Sequence, residues 1–306
     1  MRKVICLLLC VVVVFGLSTV AVANADMGPK PSVHVTFKNM GDETCYGTLL
    51  SSTRSTGPYS TWNEDLADDE QYDGDMTARS RLPAPILHKF VDYQDSDGYF
   101  FLCIGWSVSD SMPIHWGYYP PKKFKILLYY PERDKFVISE VCERYAFDTY
   151  YTVNMSGVDI SSVDATPENT KLKPQKSYPW GREVLSFFVR VIITVAIEMF
   201  IAFLFGIRGK KAALFVLIVN LITQIVLNVF VNVIDFKLGT FFFLPLFYCL
   251  FEFVIFVAEG VTYALKMKNY VEKPRNPWFY VLYAFVANLL SFVAGFGLAY
   301  VVPALF

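Results

Sequence analysis

The stretch that decides the fold is AALFVLIVNLITQIVLNVFVNVI, residues 212–234, which contains no charged residue. Comparable apolar stretches occupy 184–207, 240–265 and 278–304. A helix needs about 20 mainly apolar residues to cross a hydrocarbon core of about 30 Å. The sequence therefore predicts an α-helical transmembrane bundle with four spans within residues 181–306.

The charges around these stretches predict the topology. Basic residues are concentrated in the connections 208–211 and 266–277, and loops of this kind face the cytoplasm. The C-terminus and residues 26–180 then lie outside. We therefore expect a multi-pass plasma-membrane protein, with the lipid bilayer as a partner.

The beginning of the chain predicts the same orientation. Arg2 and Lys3 precede an apolar run, and Ala23 and Ala25 precede Asp26. This arrangement is typical of a secretory signal peptide cleaved after Ala25. Residues 1–25 are predicted to be that signal, and the following residues to be extracytoplasmic.

Composition supports this division of the chain. Mean hydropathy is +0.39, which is high for a soluble domain. Residues 26–180 hold 22 acidic and 15 basic residues, a net charge of −7, and residues 181–306 hold 6 and 10, a net charge of +4. Neither part has the clustered basic face of a nucleic-acid-binding protein, so no nucleic acid is expected as a partner.

Residues 26–154 are predicted to form an all-β domain, specifically an immunoglobulin-like sandwich, and residues 155–180 a linker to the membrane. Short runs of β-forming residues alternate with turn residues. The predicted strands cover residues 33–37, Cys45–Leu50, Ile86–Tyr93, Tyr99–Val108, Phe124–Tyr130 and Phe136–Val141.

Chemical motifs in this domain are weak. Asp95-Ser96-Asp97-Gly98 hints at a calcium loop, but Tyr93 and Ile104 occupy the positions of the first and last EF-hand ligands, so a β-turn is favoured. The three histidines lack zinc-ligand spacing. Outside the cell, one disulfide is expected, with its pairing undetermined, among Cys45, Cys103 and Cys142. No metal or cofactor is predicted.

The predicted spans contain polar residues at helical spacing. Charged groups within a bilayer are costly and face the interior of a bundle, and the apparent depths place several of these residues in one layer. Arg190 has a possible carboxylate partner in Glu252 or Glu198. The predicted intramembrane polar network is Arg190, Glu198, Asn220, Gln224, Asn228, Glu252, Glu259 and Asn288.

Three roles are open for this network. The polar groups can join helices through hydrogen bonds, or the carboxylates can pass protons or a cation. Catalysis is disfavoured, since no histidine lies in a span and Cys249 has no adjacent base.

The chain resembles a group of uncharacterised membrane proteins of Gram-positive bacteria. The resemblance lies in Thr56-Gly57-Pro58-Tyr59-Ser60, in residues 116–124 (WGYYPPKKF), in Arg144-Tyr145-Ala146-Phe147-Asp148, and in the polar residues of the spans. It implies a secreted β-rich domain joined to a four-helix membrane module, but no activity.

The leading functional hypothesis is a non-enzymatic cell-envelope protein. Its β domain would bind an extracytoplasmic ligand or partner, and its bundle would provide an anchor or associate with other membrane subunits. The alternative is a small proton or cation transporter or channel that uses the intramembrane carboxylates.

Overall fold

The computed structural model describes residues 30–62, 80–158, 160, 172–239 and 244–301. An N-terminal β region precedes a C-terminal helical part, which confirms the mixed fold class. The predicted signal peptide, residues 1–25, and the C-terminal residue Phe306 lie outside the described residues.

The β region contains two sheets. Its strands are β1 (Ser32–Lys38), β2 (Tyr46–Ser51), β3 (Trp106–Ser107), β4 (Ile114–Trp116), β5 (Lys123–Tyr130), β6 (Lys135–Ile138), β7 (Cys142–Glu143), β8 (Asp148–Asn154) and β9 (Gln175–Lys176). The first sheet has the order β4-β1-β8-β9, and the second has the order β3-β2-β5-β6, with β7 also paired to β5. Strands β1 and β8 are parallel, with Ser32 opposite Asp148.

Apolar side chains from both sheets form one core. Val33, Val35 and Trp116 of the first sheet are almost completely buried, as are Phe124 and Ile126 of the second. The alternation of buried and partly exposed positions along β1 follows from the two-residue period of a strand. The predicted strands at β1, β2 and β5 are confirmed.

A second core lies on the opposite face of the second sheet, under helix α1 (Ala84–Asp92). The strand predicted at Ile86–Tyr93 is therefore wrong, and the region is not all-β. Leu87 and Phe90 are three residues apart, which places both on the face that covers the sheet. Pro85, in the first turn, favours helix initiation, because proline has no N–H to leave unpaired there.

Another predicted strand is shorter in the structure, and strand β8 was missed. The strand predicted at Tyr99–Val108 is reduced to β3 at residues 106–107, because Cys103 has a φ of +54°, which interrupts extended backbone. Strand β8 was not predicted. Its Thr149, Tyr151 and Val153 are buried at alternate positions, so a two-residue period does mark it in the sequence.

The helical part contains α2 (Trp180–Leu204), α3 (Lys210–Leu238), α4 (Leu244–Lys266) and α5 (Pro277–Val301). Among the described residues, three helical segments are long and apolar enough to cross a membrane: Trp180–Leu204, Lys210–Leu238 and Pro277–Gly295. Helix α5 packs against both α2 and α4, and α3 also contacts both α2 and α4.

The β region contacts the end of α3 directly. The Phe147 N–H donates a hydrogen bond to the Phe236 carbonyl at 2.9 Å. A Cβ at Gly239 would lie 2.0 Å from the Phe147 ring, so this close approach requires glycine. Within the predicted linker, Leu172 is fully buried in the first core and β9 pairs with β8.

Candidate functional site: a cluster of carboxylates and amides between the helices

The polar residues predicted for the spans converge inside the bundle. Each of the four helices contributes, because residues three, four and seven apart share one helix face. Buried polar side chains are Glu198, Asn220, Gln224, Asn228, Glu252, Glu259, Asn288 and Ser291. We call these eight residues the polar cluster.

Glu259 connects three helices. One of its carboxylate oxygens accepts a hydrogen bond from the Thr223 hydroxyl of α3 at 2.6 Å, and the other accepts one from the Asn288 amide of α5 at 2.8 Å. Both oxygens are therefore satisfied, although the residue is only 1% exposed. The contact with Asn288 agrees with the prediction that these two residues occupy one layer.

Glu198 is less well satisfied. Its Oε1 accepts a hydrogen bond from the Ser291 hydroxyl at 3.2 Å, whereas its buried Oε2 has no hydrogen-bond partner. Glu259 and Glu252 are close enough to Glu198 to interact with it electrostatically. Within the part of the chain that the structure describes, neither Glu198 nor Glu259 forms a salt bridge.

Two buried tyrosines belong to the same site and were not predicted. The Tyr263 hydroxyl donates to the Asn220 side-chain oxygen at 2.7 Å, and the Tyr283 hydroxyl donates to the Glu198 backbone carbonyl at 3.3 Å. Tyr263 follows Glu259 by four residues and so lies on the same face of α4. That spacing was the available sequence signal, but tyrosine is also common as an apolar packing residue.

Several buried polar atoms of the cluster have no hydrogen-bond partner among the described residues. They include two donors, the amide nitrogens of Asn220 and Gln224, and two acceptors, Glu198 Oε2 and Asn288 Oδ1. A buried polar atom left without a partner costs about 1–3 kcal/mol. Donors and acceptors together match the hydrogen-bonding capacity of water, which offers both.

Arg190 forms a hydrogen bond to a residue outside the predicted network. Its guanidinium donates a hydrogen bond to the Asn232 side chain of α3 at 2.8 Å, and Asn232 is outside the predicted network. Arg190 is half-buried. The expected pairing of Arg190 with Glu252 stays a prediction. The alternative partner, Glu198, accepts a side-chain hydrogen bond from Ser291 instead.

The cluster brings carboxyl groups and amides together in an apolar interior. A bare carboxylate in an apolar interior is strongly disfavoured, so the group must take up a proton or a cation. Groups of three or more potential metal ligands of the His, Cys, Asp or Glu type do not occur among the described residues.

Two histidines that are distant in sequence meet in the β region. Their Nδ1 atoms, on His34 and His115, are 2.9 Å apart. The Ser32 hydroxyl donates to Asp148 and contacts His34 Nε2. Burial and the nearby His115 lower the pKa of His34 to about 4. In a catalytic triad the acid contacts the histidine, whereas here Asp148 contacts the serine.

The segment that resembled a calcium loop is a turn closed by a buried ion pair. One Asp95 carboxylate oxygen accepts the backbone N–H groups of Asp97 and Tyr99, both at 3.1 Å. The Lys125 ammonium lies 2.8 Å from Asp95 and 2.6 Å from Asp97. Because a lysine occupies the place where a cation would bind, the turn interpretation is supported.

Cys45, Cys103 and Cys142 of the β region are buried free thiols, so the expected disulfide is not formed in this structure. Cys45 and Cys142 lie in the core between the sheets, and Cys103 lies in the core under α1. Burial raises the pKa of Cys45 and of Cys103 to about 12 and that of Cys142 to about 11. Thiols of this kind are unreactive.

Comparison with known proteins adds no further assignment: no protein-family model, curated protein or solved structure matches the chain.

Proposed function

We propose that this chain is a multi-pass membrane protein whose helix bundle binds and exchanges protons at the polar cluster. The observation that supports this most directly is that buried atoms without a hydrogen-bond partner occur together in one site, on Asn220, Gln224, Glu198 and Asn288 among others. Polar groups that only join helices would pair with one another. Buried polar atoms that lack a protein partner can form hydrogen bonds to ordered water instead.

The mixed character of the cluster favours protons over a dehydrated cation. Carboxylate and amide oxygens could bind a cation, but the amide nitrogens of Asn220 and Gln224 could not. Water satisfies both kinds of group and connects carboxyl groups for proton transfer. Glu198 would then exchange its proton with Glu259 or Glu252 through water, and Tyr263 and Tyr283 would hold the helices around them.

The same proposal includes the finer architecture. All four helices would span the bilayer, since α4 also presents exposed apolar side chains, including Val254 and Val261. The basic loops 208–211 and 266–277 would face the cytoplasm. The β region, an immunoglobulin-like sandwich with an added helix, would lie outside the cell. The resemblance to the Gram-positive membrane proteins belongs to this proposal.

The test is proton flux through the full-length protein in liposomes that contain a pH-sensitive dye. We expect an imposed pH gradient or membrane potential to produce a dye response. The triple variant Glu198→Gln, Glu252→Gln, Glu259→Gln should abolish the response, because glutamine retains hydrogen bonding but exchanges no proton. Glu272→Gln, an exposed position after α4, is the matched control and should retain it.

Absence of any proton response in the wild-type protein would overturn the proposal, and so would an undiminished response in the triple variant. A response to sodium or potassium gradients without proton movement would instead make the cluster a cation site. Correct folding of each variant is checked by its helical circular dichroism signal.

A second candidate is the non-enzymatic binding protein, in which the bundle serves as an anchor. The hydrogen bonds from Thr223 and Asn288 to Glu259, and from Tyr263 to Asn220, favour it because they join helices. In that case the triple glutamine variant would fold normally and the protein would pass no protons. The β region would then bind an extracytoplasmic ligand or partner, and the bundle would provide an anchor or associate with other membrane subunits.

A further inference from the structure

A pocket of about 530 Å³ lies where the β region meets the end of α3. Lys122 and Lys123 at the start of β5 and Arg144 after β7 line one side, and Lys237 near the end of α3 lines the other. Strand pairing creates this grouping, since Lys123 is opposite Glu143 and the Arg144 N–H donates to the Lys122 carbonyl.

The pocket has an excess of positive charge. Four basic residues line it and one acidic residue, Glu143, does so. Glu143 forms an exposed ion pair with Lys123 at 2.9 Å. Within the described part of the chain, Lys122, Arg144 and Lys237 form no salt bridge, and the Lys237 ammonium lies 5.3 Å from the centre of the Phe236 ring. The pocket lining therefore carries a net positive charge.

Arg144 is the residue most clearly arranged for an anion. Its side chain is half-buried, and its Nε atom is buried without a hydrogen-bond partner. Burial lowers the pKa of Arg144, because the charged guanidinium has lost water without gaining a counterion. A planar guanidinium binds phosphate oxygens through parallel hydrogen bonds.

The location suggests where the anion comes from. Lys237 and Leu238 are the last residues of α3, a helix long and apolar enough to cross a membrane. The end of such a helix lies near the level of lipid headgroups. Leu238 is 65% exposed beside the basic residues, which provides an apolar surface for the glycerol and upper acyl chain of a lipid.

We propose that this pocket binds the phosphate group of an anionic membrane phospholipid. Arg144 and Lys237 contact the phosphate from opposite sides, and Lys122 adds to the positive potential. The lipid thereby bridges the β region and the bundle, whose direct contacts include the hydrogen bond from Phe147 to Phe236. This proposal is independent of proton exchange at the polar cluster.

The test is native mass spectrometry of the full-length protein, titrated in detergent with phosphatidylglycerol and, separately, with zwitterionic phosphatidylcholine. We expect saturable binding of phosphatidylglycerol and weaker binding of phosphatidylcholine. Two lost charge-assisted contacts should reduce the affinity of the Arg144→Gln, Lys237→Gln variant for phosphatidylglycerol by at least about tenfold. The control Lys38→Gln, Lys173→Gln makes the same charge change at exposed positions outside the pocket and should stay within about twofold of wild type.

Two further arms identify the source of the phosphate and exclude misfolding. Arg144→Lys retains a charge and should recover part of the affinity that Arg144→Gln loses. Millimolar inorganic phosphate should leave lipid binding unchanged, and displacement of the lipid by it would overturn the lipid assignment in favour of free phosphate. Equal affinities of wild type and the double glutamine variant for phosphatidylglycerol would overturn the site itself.

Discussion

Replacement of Lys125 by methionine tests how strongly one buried ion pair stabilises the β region. The Lys125 side chain is 5% exposed and that of its partner Asp95 is 1% exposed. Methionine has a similar length and leaves the surrounding core filled. The main consequence of Lys125→Met is therefore a buried Asp95 carboxylate that has lost its cation.

The expected cost follows from that burial. Removing one partner of a buried ion pair destabilises a protein by about 3–5 kcal/mol, because the remaining charge stays out of water. Asp95 cannot simply rotate outward, since it also accepts the N–H groups of Asp97 and Tyr99. For a region of this size we expect a fall in melting temperature of about 10–20 °C.

The assay is thermal unfolding of the full-length protein in detergent, followed by near-ultraviolet circular dichroism. That signal reports the packing of Trp106 and Trp116, which lie in the core between the sheets. The control is Lys123→Met, because its ion pair with Glu143 is exposed on both sides. An exposed pair contributes about 0–1 kcal/mol, so this variant should melt within about 4 °C of wild type.

A double variant separates the buried charge from other effects of the substitution. Asp95→Asn in the Lys125→Met background removes the unpaired charge and retains an oxygen that accepts the turn N–H groups. It should therefore melt higher than Lys125→Met alone. The reasoning is refuted if Lys125→Met and Lys123→Met melt at the same temperature, or if Asp95→Asn lowers the melting temperature of Lys125→Met further.

Three other outcomes are expected. In the unfolded chain His34 takes up a proton near pH 6.5, whereas in the folded protein its side chain stays neutral down to about pH 4. Stability is therefore lost as the pH falls between these values, by at most about 3 kcal/mol and by about 1–2 kcal/mol after screening. His34→Gln should lose this part of the pH dependence of the melting temperature. Gly239→Ala should lower the melting temperature by displacing Phe147, and Phe147→Ala should restore part of it; no change in either would contradict the close packing. The buried thiols of the β region should resist maleimide at neutral pH until the region unfolds, and rapid labelling of the folded protein would contradict their burial.

The helical part was largely predictable from sequence, for a physical reason. Apolar length is a local property, and the predicted stretches 184–207, 212–234 and 278–304 correspond to α2, α3 and α5. The inward position of the polar residues also follows from local spacing, because a helix brings residues such as Glu252 and Glu259 to one face.

The partners of those residues could not be predicted in the same way. Which side chain meets Glu259 depends on the rotation and relative height of three helices, and these are set by the packing of the whole bundle. The Ser291 contact of Glu198 and the Tyr263 contact of Asn220 arise from that packing. The unpartnered atoms of the cluster are visible only once every neighbour is in place.

In the β region the difference between what the sequence predicts and what only the structure shows is larger. Alternation identified β1, and runs of β-forming residues identified β2 and β5, but the same residue types at Ile86–Tyr93 form helix α1. Helix formation there depends on an apolar sheet face that Leu87 and Phe90 can cover. The sequence alone determined which segments carry apolar surface that must be buried. It also determined that some helices are long and apolar enough to lie in a membrane. Only the tertiary structure decided which distant residues meet, including His34 with His115 and Phe147 with Phe236, because such contacts join segments far apart along the chain.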